Sequence, residues 1–314
     1  MATDLRFATA FAPASVGNVA AGFDVLGQSF PVLGDRVRAE RSAMPGVRIA
    51  TIAGIAGELP RDPEQNTAGR AVQSLLEAAG GGVGIALSIE KGIPLGSGLG
   101  GSAASAVAAV VATNELLGRP LARADLLAHA VTGEAVASGS RHADNVAPAL
   151  FGGLVLTVGG DSPRVQRIPV PPAIRCVVVH PRLFLSTREA RRILQPDVRF
   201  TDAIQQLGNL AGLIAGCHAN DLGLIRACLA DVLVEPQRAG LIPGFADVKA
   251  AALAGGALGC SISGAGPSVF AWCEDDQARA IAAGMAAAFA RHGLEATAHV
   301  APVGDDGARI LDRG

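Results

Sequence analysis

Apolar positions recur every three or four residues along some stretches of the chain and every second residue along others. Over residues 67–79, Ala71, Leu75 and Leu76 keep helical spacing behind Asn66, a suitable N-cap, and the run stops at Gly80, Gly81 and Gly82. Ile85, Leu87 and Ile89 alternate within 84–91, predicting a strand that Gly92-Ile-Pro ends. Helical spacing returns over 102–117 and 123–137, divided by Gly118-Arg-Pro, and 152–158 predicts another strand. Residues 1–15 alternate through Leu5, Phe7, Thr9 and Phe11 as a strand does.

The segment 159–172, rich in Gly, Asp, Ser and Pro, breaks the periodicity and predicts a crossing between two halves. Beyond it the pattern predicts a buried strand at 176–180 and helices at 187–194, 201–217 and 222–232. Strands at 259–263 and 268–273 flank Gly264-Ala-Gly-Pro, before a helix at 276–292 and a strand at 295–301. No fixed-period repeat is present, which excludes a solenoid.

Composition narrows the function classes. Half of the 314 residues are apolar, enough for a chain of this length to bury a core without disulfides or structural metal. The 26 Lys and Arg against 28 Asp and Glu leave no electrostatic footprint for nucleic acid or anionic membrane, so small-molecule partners are expected. Five cysteines without a CxxC pair predict a reduced, cytoplasmic protein, and six histidines without HExxH exclude zinc chemistry. His129 and His218 are taken as ordinary helix residues. The start lacks a signal-peptide pattern, and the uncharged stretch 92–114 opens on Gly, Ser and Pro, leaving too few apolar residues to span a bilayer.

The sharpest local feature is Pro94-Leu-Gly-Ser-Gly-Leu-Gly-Gly-Ser-Ala-Ala-Ser105, a glycine-rich loop between a strand and an Ala-rich helix. Gly96, Gly98, Gly100 and Gly101 allow the backbone to approach phosphate oxygens, with free N–H groups at the helix start near Ser102. The loop matches GxGxxG, but a helix rather than a strand with an acidic residue follows, against a dinucleotide-binding unit. Lys91 precedes the glycines instead of following them, against a Walker A loop. Phosphoryl transfer needs a divalent cation on few protein oxygens. Ser102 offers a hydroxyl, and Glu134 interrupts an apolar helix; a solvated helix carboxylate is the alternative for Glu134. Asn18-Val-Ala-Ala-Gly-Phe-Asp24 and His142-Ala-Asp-Asn145, after the turn Ser138-Gly-Ser140, are polar knots that fit turns and caps as well as a site.

Together these motifs resemble the GHMP kinases, and within them the branch that phosphorylates L-homoserine. The segment from Pro13 through Asn18 and Asp24 to Gly27 resembles the first family motif, Pro94 to Ser105 the second and Ser263-Gly-Ala-Gly-Pro-Ser268 the third. Further hallmarks are Ser138 to Pro148, Ser186-Thr-Arg-Glu-Ala-Arg-Arg192 and Arg238-Ala-Gly-Leu-Ile-Pro-Gly-Phe245. The resemblance implies an α+β, two-domain GHMP kinase fold. Residues 1–160 would form a left-handed βαβ-type ATP-binding domain and 161–314 a ferredoxin-like α/β sandwich.

It also implies ATP- and Mg2+-dependent phosphorylation of L-homoserine for threonine synthesis. By that resemblance nucleotide contacts fall on Asn66, Pro94, Leu95, Gly96, Ser97, Gly98, Leu99, Gly100, Gly101, Ser102 and Ala103, and metal ligands on Ser102 and Glu134. Amino-acid contacts fall on Asn18, Asp24, Asn145, Arg191 and Arg238, with Asn145, Thr187 and Glu134 at the chemistry. An ammonium would meet Asp24 and a carboxylate two guanidinium forks; by spacing alone both arginines fit solvated surface. Gly101 stands where the family usually has serine, and the sequence leaves open whether Asp144 or Asn145 faces the hydroxyl. A homodimer is a further expectation. Rival readings are a non-catalytic sensor of ATP and a metabolite, and an NAD-dependent oxidoreductase.

Overall fold

The computed structural model describes residues 4–55, 58–139, 141–160, 163–304 and 306–314. Ser140 of the polar turn, residues 1–3 of the first predicted strand and residues 161–162 at the expected domain boundary lie outside the described residues. The chain runs β1 (Phe7–Gly17), β2 (Leu26–Ser42), β3 (Gly46–Gly54), α1 (Thr67–Ala78), β4 (Gly84–Lys91), α2 (Gly101–Leu116), α3 (Leu126–Ser138), α4 (Val146–Phe151), β5 (Leu154–Val158) and β6 (Arg164–Ile168). It continues through β7 (Ile174–Pro181), α5 (Thr187–Arg192), α6 (Phe200–Ala219), α7 (Leu222–Cys228), α8 (Glu235–Arg238) and α9 (Phe245–Ala254). The last elements are β8 (Gly259–Ile262), β9 (Val269–Glu274), α10 (Ala278–Arg291), β10 (Ala296–Pro302) and β11 (Arg309–Arg313).

Two sheets result. The first has the order β11-β1-β2-β4-β3, with β5 also on β2 and β6 on β5, and its one parallel pair, β3 with β4, brackets α1 as a βαβ unit. The second has the order β10-β7-β9-β8 with antiparallel pairs throughout, the ββ-centred βαββαβ arrangement of ferredoxin-like folds. Strands β6 and β11 both lie beyond residue 160 yet join the first sheet, so sheet membership does not follow one cut in the chain.

Small side chains set the spacing of the first half. Ala8, Ala10, Ala12 and Ala14 form the inward stripe of β1, fully buried against α2, whose Ala103, Ala104, Ala106, Ala108, Ala109 and Ala112 are equally buried. Alanine on both sides brings helix and sheet close together, and α2 is enclosed nearly all round, as its unbroken apolar sequence implies. The larger stripe of β1 faces the other way, with Arg38 over Phe7 at 3.5 Å and Arg309 over Phe11 at 4.5 Å.

Where pattern and structure differ, the reasons are local. Helix α3 starts at Leu126 instead of residue 123 because 123–125 form a turn from which Arg123 donates to the carbonyls of Leu150 and Ala308. Helix α7 stops at Cys228 instead of 232 because Asp231 caps the next helix. The pattern predicts nothing over 26–54, where β2 and β3 run, nor for α4, α8, α9 and β11, and the stretch 159–172 that it reads as an aperiodic crossing contains β6. Among the described residues no helix is long and apolar enough to cross a membrane, and all five cysteines are free.

Candidate active site

Between β4 and α2 the chain crosses residues 94–100, where Gly96, Gly98 and Gly100 hold φ of 62°, 74° and 66°. Gly100 caps α2, and the first N–H groups of a helix have no acceptor within it, so this end offers donors to an anion. A cavity of about 590 Å³ lies over the loop, lined by every residue from Pro94 to Ser102, with Leu59, Pro60 and Phe184 adding apolar surface. The sequence reading assigns Gly98 to phosphate approach, and the structure adds a second reason for glycine there. A Cβ there would stand 2.4 Å from the Ser263 carbonyl oxygen and 2.6 Å from that of Gly266, so Gly98 lets two glycine loops close on each other. Ser263 Oγ donates to the Gly98 carbonyl at 2.8 Å and Ser268 N to that of Ser97 at 3.1 Å, joining the two halves of the chain at the loop.

Beneath the loop, Lys91 and Asp35 form a buried ion pair. Lys91 Nζ also donates to the Gly101 carbonyl at 2.7 Å and to Ser105 Oγ at 2.9 Å, while Asp35 Oδ1 accepts from the N–H groups of Gly92 and Ile93 at 3.0 and 3.2 Å. A buried pair is tolerable when its remaining hydrogen-bonding capacity is met, as here. Its effect is to fasten β2, the end of β4 and the start of α2 to one another.

A second cavity, of about 60 Å³, adjoins the first. The two share Glu134, Ser138, Asn145, Thr187, Gly264 and Ala265 as lining, whereas Asp144 lines the smaller one alone. Asn145 Oδ1 accepts from Ser15 Oγ at 2.8 Å and its Nδ2 donates to Asp144 Oδ2 at 2.9 Å. Burial pushes the Glu134 carboxyl up to about 7, with the Asp144 charge adding, against a hydrogen bond from Ser102 and the charge of Lys91. Glu134 Oε2 is buried without a donor, so the carboxylate is not the solvated one that spacing allows. A buried carboxylate with one oxygen lacking a donor, close to the Ser102 hydroxyl and beside a phosphate loop, is a donor set that suits a divalent cation.

The small cavity is lined by charge. Arg191 donates to both oxygens of Asp24, at 3.0 and 2.6 Å, and His142 Nδ1 stands 3.6 Å from Asp24. Arg238 is only 3% exposed, yet its donors reach carbonyls alone, Ala190 at 2.9 Å and Gly264 at 3.0 Å, and no carboxylate pairs with it among the described residues. Burial and then the Arg191 charge push its pKa down to about 10, so it stays cationic at neutral pH. A buried cation with only neutral acceptors is a receptor for an anion. Phe23 places its ring 5.3 and 5.2 Å from the Arg191 and Arg238 guanidinium carbons. The loop bearing Phe23 is strained: Asn18, Val19, Ala20 and Asp24 all hold positive φ, at roughly 1–3 kcal/mol for each such residue.

The family model for the GHMP kinases N terminal domain matches residues 66–153, and that for the GHMP kinases C terminal matches 213–291. The homoserine kinase of Xanthomonas campestris pv. campestris (strain B100) is 54% identical over 311 residues, covering 99% of this chain and 96% of that protein. The chain belongs to the homoserine kinase branch of the GHMP kinase family. The homoserine kinase of Chlorobium phaeovibrioides is 45% identical over 96% of this chain and 98% of that protein. Among solved structures, homoserine kinase from Cytophaga hutchinsonii superposes with a TM-score of 0.95 at 44% identity, over 99% of each chain. L. major mevalonate kinase, solved in complex with R-mevalonate, has a TM-score of 0.65 at 18% identity over 96% of each chain and shares the fold alone.

Within this kinase frame most sequence-predicted residues converge. Pro94 to Ser102 line the larger cavity, Asn18, Asp24, Arg191 and Arg238 the smaller, and Glu134, Asn145 and Thr187 both. Two depart. Ala103 points into the core and lines neither cavity, and Asn66 lines the larger one while its side chain is committed to capping α1 at Ala68 N and Gly69 N and to the Pro60 carbonyl. Arg191 and Arg238 are not the solvated surface that spacing alone allows. Sequence reasoning missed Asp35, Phe184, Gln206 and Asp231; a single Asp in an alternating strand and a Gln in an apolar helix carry no motif.

Proposed function

We propose that the protein transfers the γ-phosphoryl group of ATP to the side-chain hydroxyl of L-homoserine, giving O-phospho-L-homoserine and ADP, a step of threonine biosynthesis. One observation carries this reading: a small pocket with a carboxylate on one side and a buried guanidinium on the other opens, through a shared wall, onto a phosphate-loop cavity. The substrate ammonium meets Asp24 and its carboxylate meets Arg238 and Arg191, exchanging the internal Arg191–Asp24 pair for two contacts with the zwitterion. Asn145 and Thr187, in the shared wall, orient the hydroxyl toward the phosphoryl group.

The loop backbone and the start of α2 hold the phosphate oxygens. Phosphoryl transfer has a loose transition state, so positioning and charge stabilisation supply most of the rate. Ser102 and Glu134 are the residues that would hold Mg2+, which when bound neutralises charge on the β- and γ-phosphates. An ADP-release assay with homoserine, mevalonate, galactose and shikimate, each with and without magnesium, tests the reading: turnover of homoserine alone, and only with magnesium, is expected.

A homodimer and a cytoplasmic setting complete the proposal. Helix α6 exposes Phe200, Ile204 and Leu207 at one end of a face and Gly208, Ala211 and Ala215 at the other, with Asp202 its only charge. Antiparallel pairing of two copies would set large residues against small, which sedimentation tests. Five free cysteines, with burial pushing Cys176 and Cys217 up to about 12, suit a reducing compartment.

A further inference from the structure

The strained loop from Asn18 to Asp24 keeps its shape only if its surroundings fix it, since Val19 and Ala20 have no polar side chain to offset a positive φ. Part of the fixing is internal or comes from the third glycine loop: Asn18 Oδ1 accepts from Asp24 N at 3.1 Å, and its Nδ2 donates to the Gly264 carbonyl at 3.0 Å. Arg191 of α5 holds Asp24 at its end, and α6 adds buried Gln206, which donates from Nε2 to the Ala21 carbonyl at 3.1 Å.

Gln206 does not stop there. Its Nε2 also donates to Asp231 Oδ1 at 3.1 Å, and its Oε1 accepts from Val232 N at 2.9 Å. Asp231, itself buried, accepts from Leu233 N and Val234 N on Oδ1 and from Glu235 N on Oδ2, at 2.9, 3.0 and 2.9 Å, so it caps α8. The last residue of α8 is Arg238. A continuous run of hydrogen bonds therefore joins the loop bearing Asn18 and Asp24 to the helix bearing Arg238, that is, one side of the charged pocket to the other. The negative charge of Asp231 also favours the cationic form of Arg238.

We propose that Gln206 and Asp231 are positioning residues that set the separation between Asp24 and Arg238, and so make the pocket select a substrate carrying both ammonium and carboxylate. This rests on the amino-acid reading of the pocket given above. Neither residue lines the small charged cavity, so neither touches the substrate there. Their effect should fall mainly on the clamp, because neither bonds to the nucleotide loop, which is fastened by the Lys91–Asp35 pair and by Ser263 and Ser268.

Steady-state kinetics with L-homoserine and with L-homoserinol, which lacks the carboxylate, tests this on Gln206→Met and Asp231→Asn. Gln206→Met keeps length and volume but loses the three hydrogen bonds of the Gln206 amide, those to Ala21, Asp231 and Val232, and should raise the homoserine KM about tenfold. The ATP KM should stay within about twofold, and the preference for homoserine over homoserinol in kcat/KM should fall about tenfold. Asp231→Asn, which keeps one acceptor oxygen for the cap, should fall between that variant and wild type. A merely structural role would lower the active fraction and hence kcat for both substrates equally, leaving the preference unchanged; that result overturns the proposal. Should Gln206→Met fail to fold by circular dichroism, Asp231→Asn decides by the same ratio. Wild-type protein that did not turn over homoserine would instead strike the reading beneath the proposal.

Discussion

The nucleotide loop and the amino-acid pocket share a wall but are assembled in opposite ways. The loop is one contiguous stretch, 94–102, whose recognition lies in backbone donors and a helix end. The pocket draws Asn18 and Asp24 from the turn after β1, Asp144 and Asn145 from just before α4, Arg191 from α5 and Arg238 from α8. A backbone site tolerates changes that leave its path alone and fails when a Cβ meets a neighbour. A side-chain site fails when one charge is removed, however well the fold survives.

The largest effect should come where the two meet. Glu134→Gln should keep the fold and ATP binding but lower kcat by about 10²–10³, because an amide cannot balance the cation that the phosphates require. Near-normal kcat with ordinary magnesium would remove Glu134 from that role. Next, Arg238→Leu should cost about 2–4 kcal/mol in homoserine kcat/KM with little change in ATP KM. Homoserinol should be a poor substrate of wild type but carry a smaller penalty with the leucine variant, as directly contacting groups give non-additive losses. An identical penalty in both would break the carboxylate assignment.

Gly98→Val should now act differently from a simple block to phosphate. Its side chain would strike the carbonyls of Ser263 and Gly266 at a φ of 74°, so Tm should fall and the affinities for ATP and homoserine should weaken together. Loss confined to ATP would leave phosphate approach as the role of Gly98. The contrast is Gly101→Ser: a Cβ there would meet Ile93 Cγ2 at 3.2 Å in a helical backbone, so kcat/KM should stay within about twofold.

A pH titration of ligand-free protein sharpens the pocket side. Burial and the Asp24 charge hold the Asp144 carboxyl at about 7 against an ordinary value of 3.8. The folded state therefore binds more protons than the unfolded one between these values, and stability should decline as pH rises through that window, by at most about 1.4 kcal/mol per unit for this group. Asp144→Asn should flatten part of that slope in denaturant melts; an unchanged slope would mean that Asp144 is solvated.

Much of the first half was legible because its signals are local. The cap at Asn66, the alternation in β4 and the glycines before α2 lie within a few residues of what they specify. Strand β2 was not legible: Val37 and Ala39 face the core between Arg36, Arg38 and Glu40, but Asp35 in the same run reads as a solvated carboxylate. Only its meeting with Lys91, 56 positions later, explains why it is fully buried.

By itself, then, the sequence determined the glycine-rich loop and the alternation of helices and strands that flank it, and through its family resemblance it pointed to the charged residues that line the small cavity. Tertiary structure alone decided that two glycine loops close on each other at Gly98, that Asn145 lies in the wall of both cavities while Asp144 lines one, and that Gln206 and Asp231 link the loop after β1 to α8. The physical reason is separation along the chain. Arg191 meets Asp24 across 167 positions and Asn18 meets Gly264 across 246, contacts that no periodicity or turn chemistry encodes and that form only when both sheets are in place.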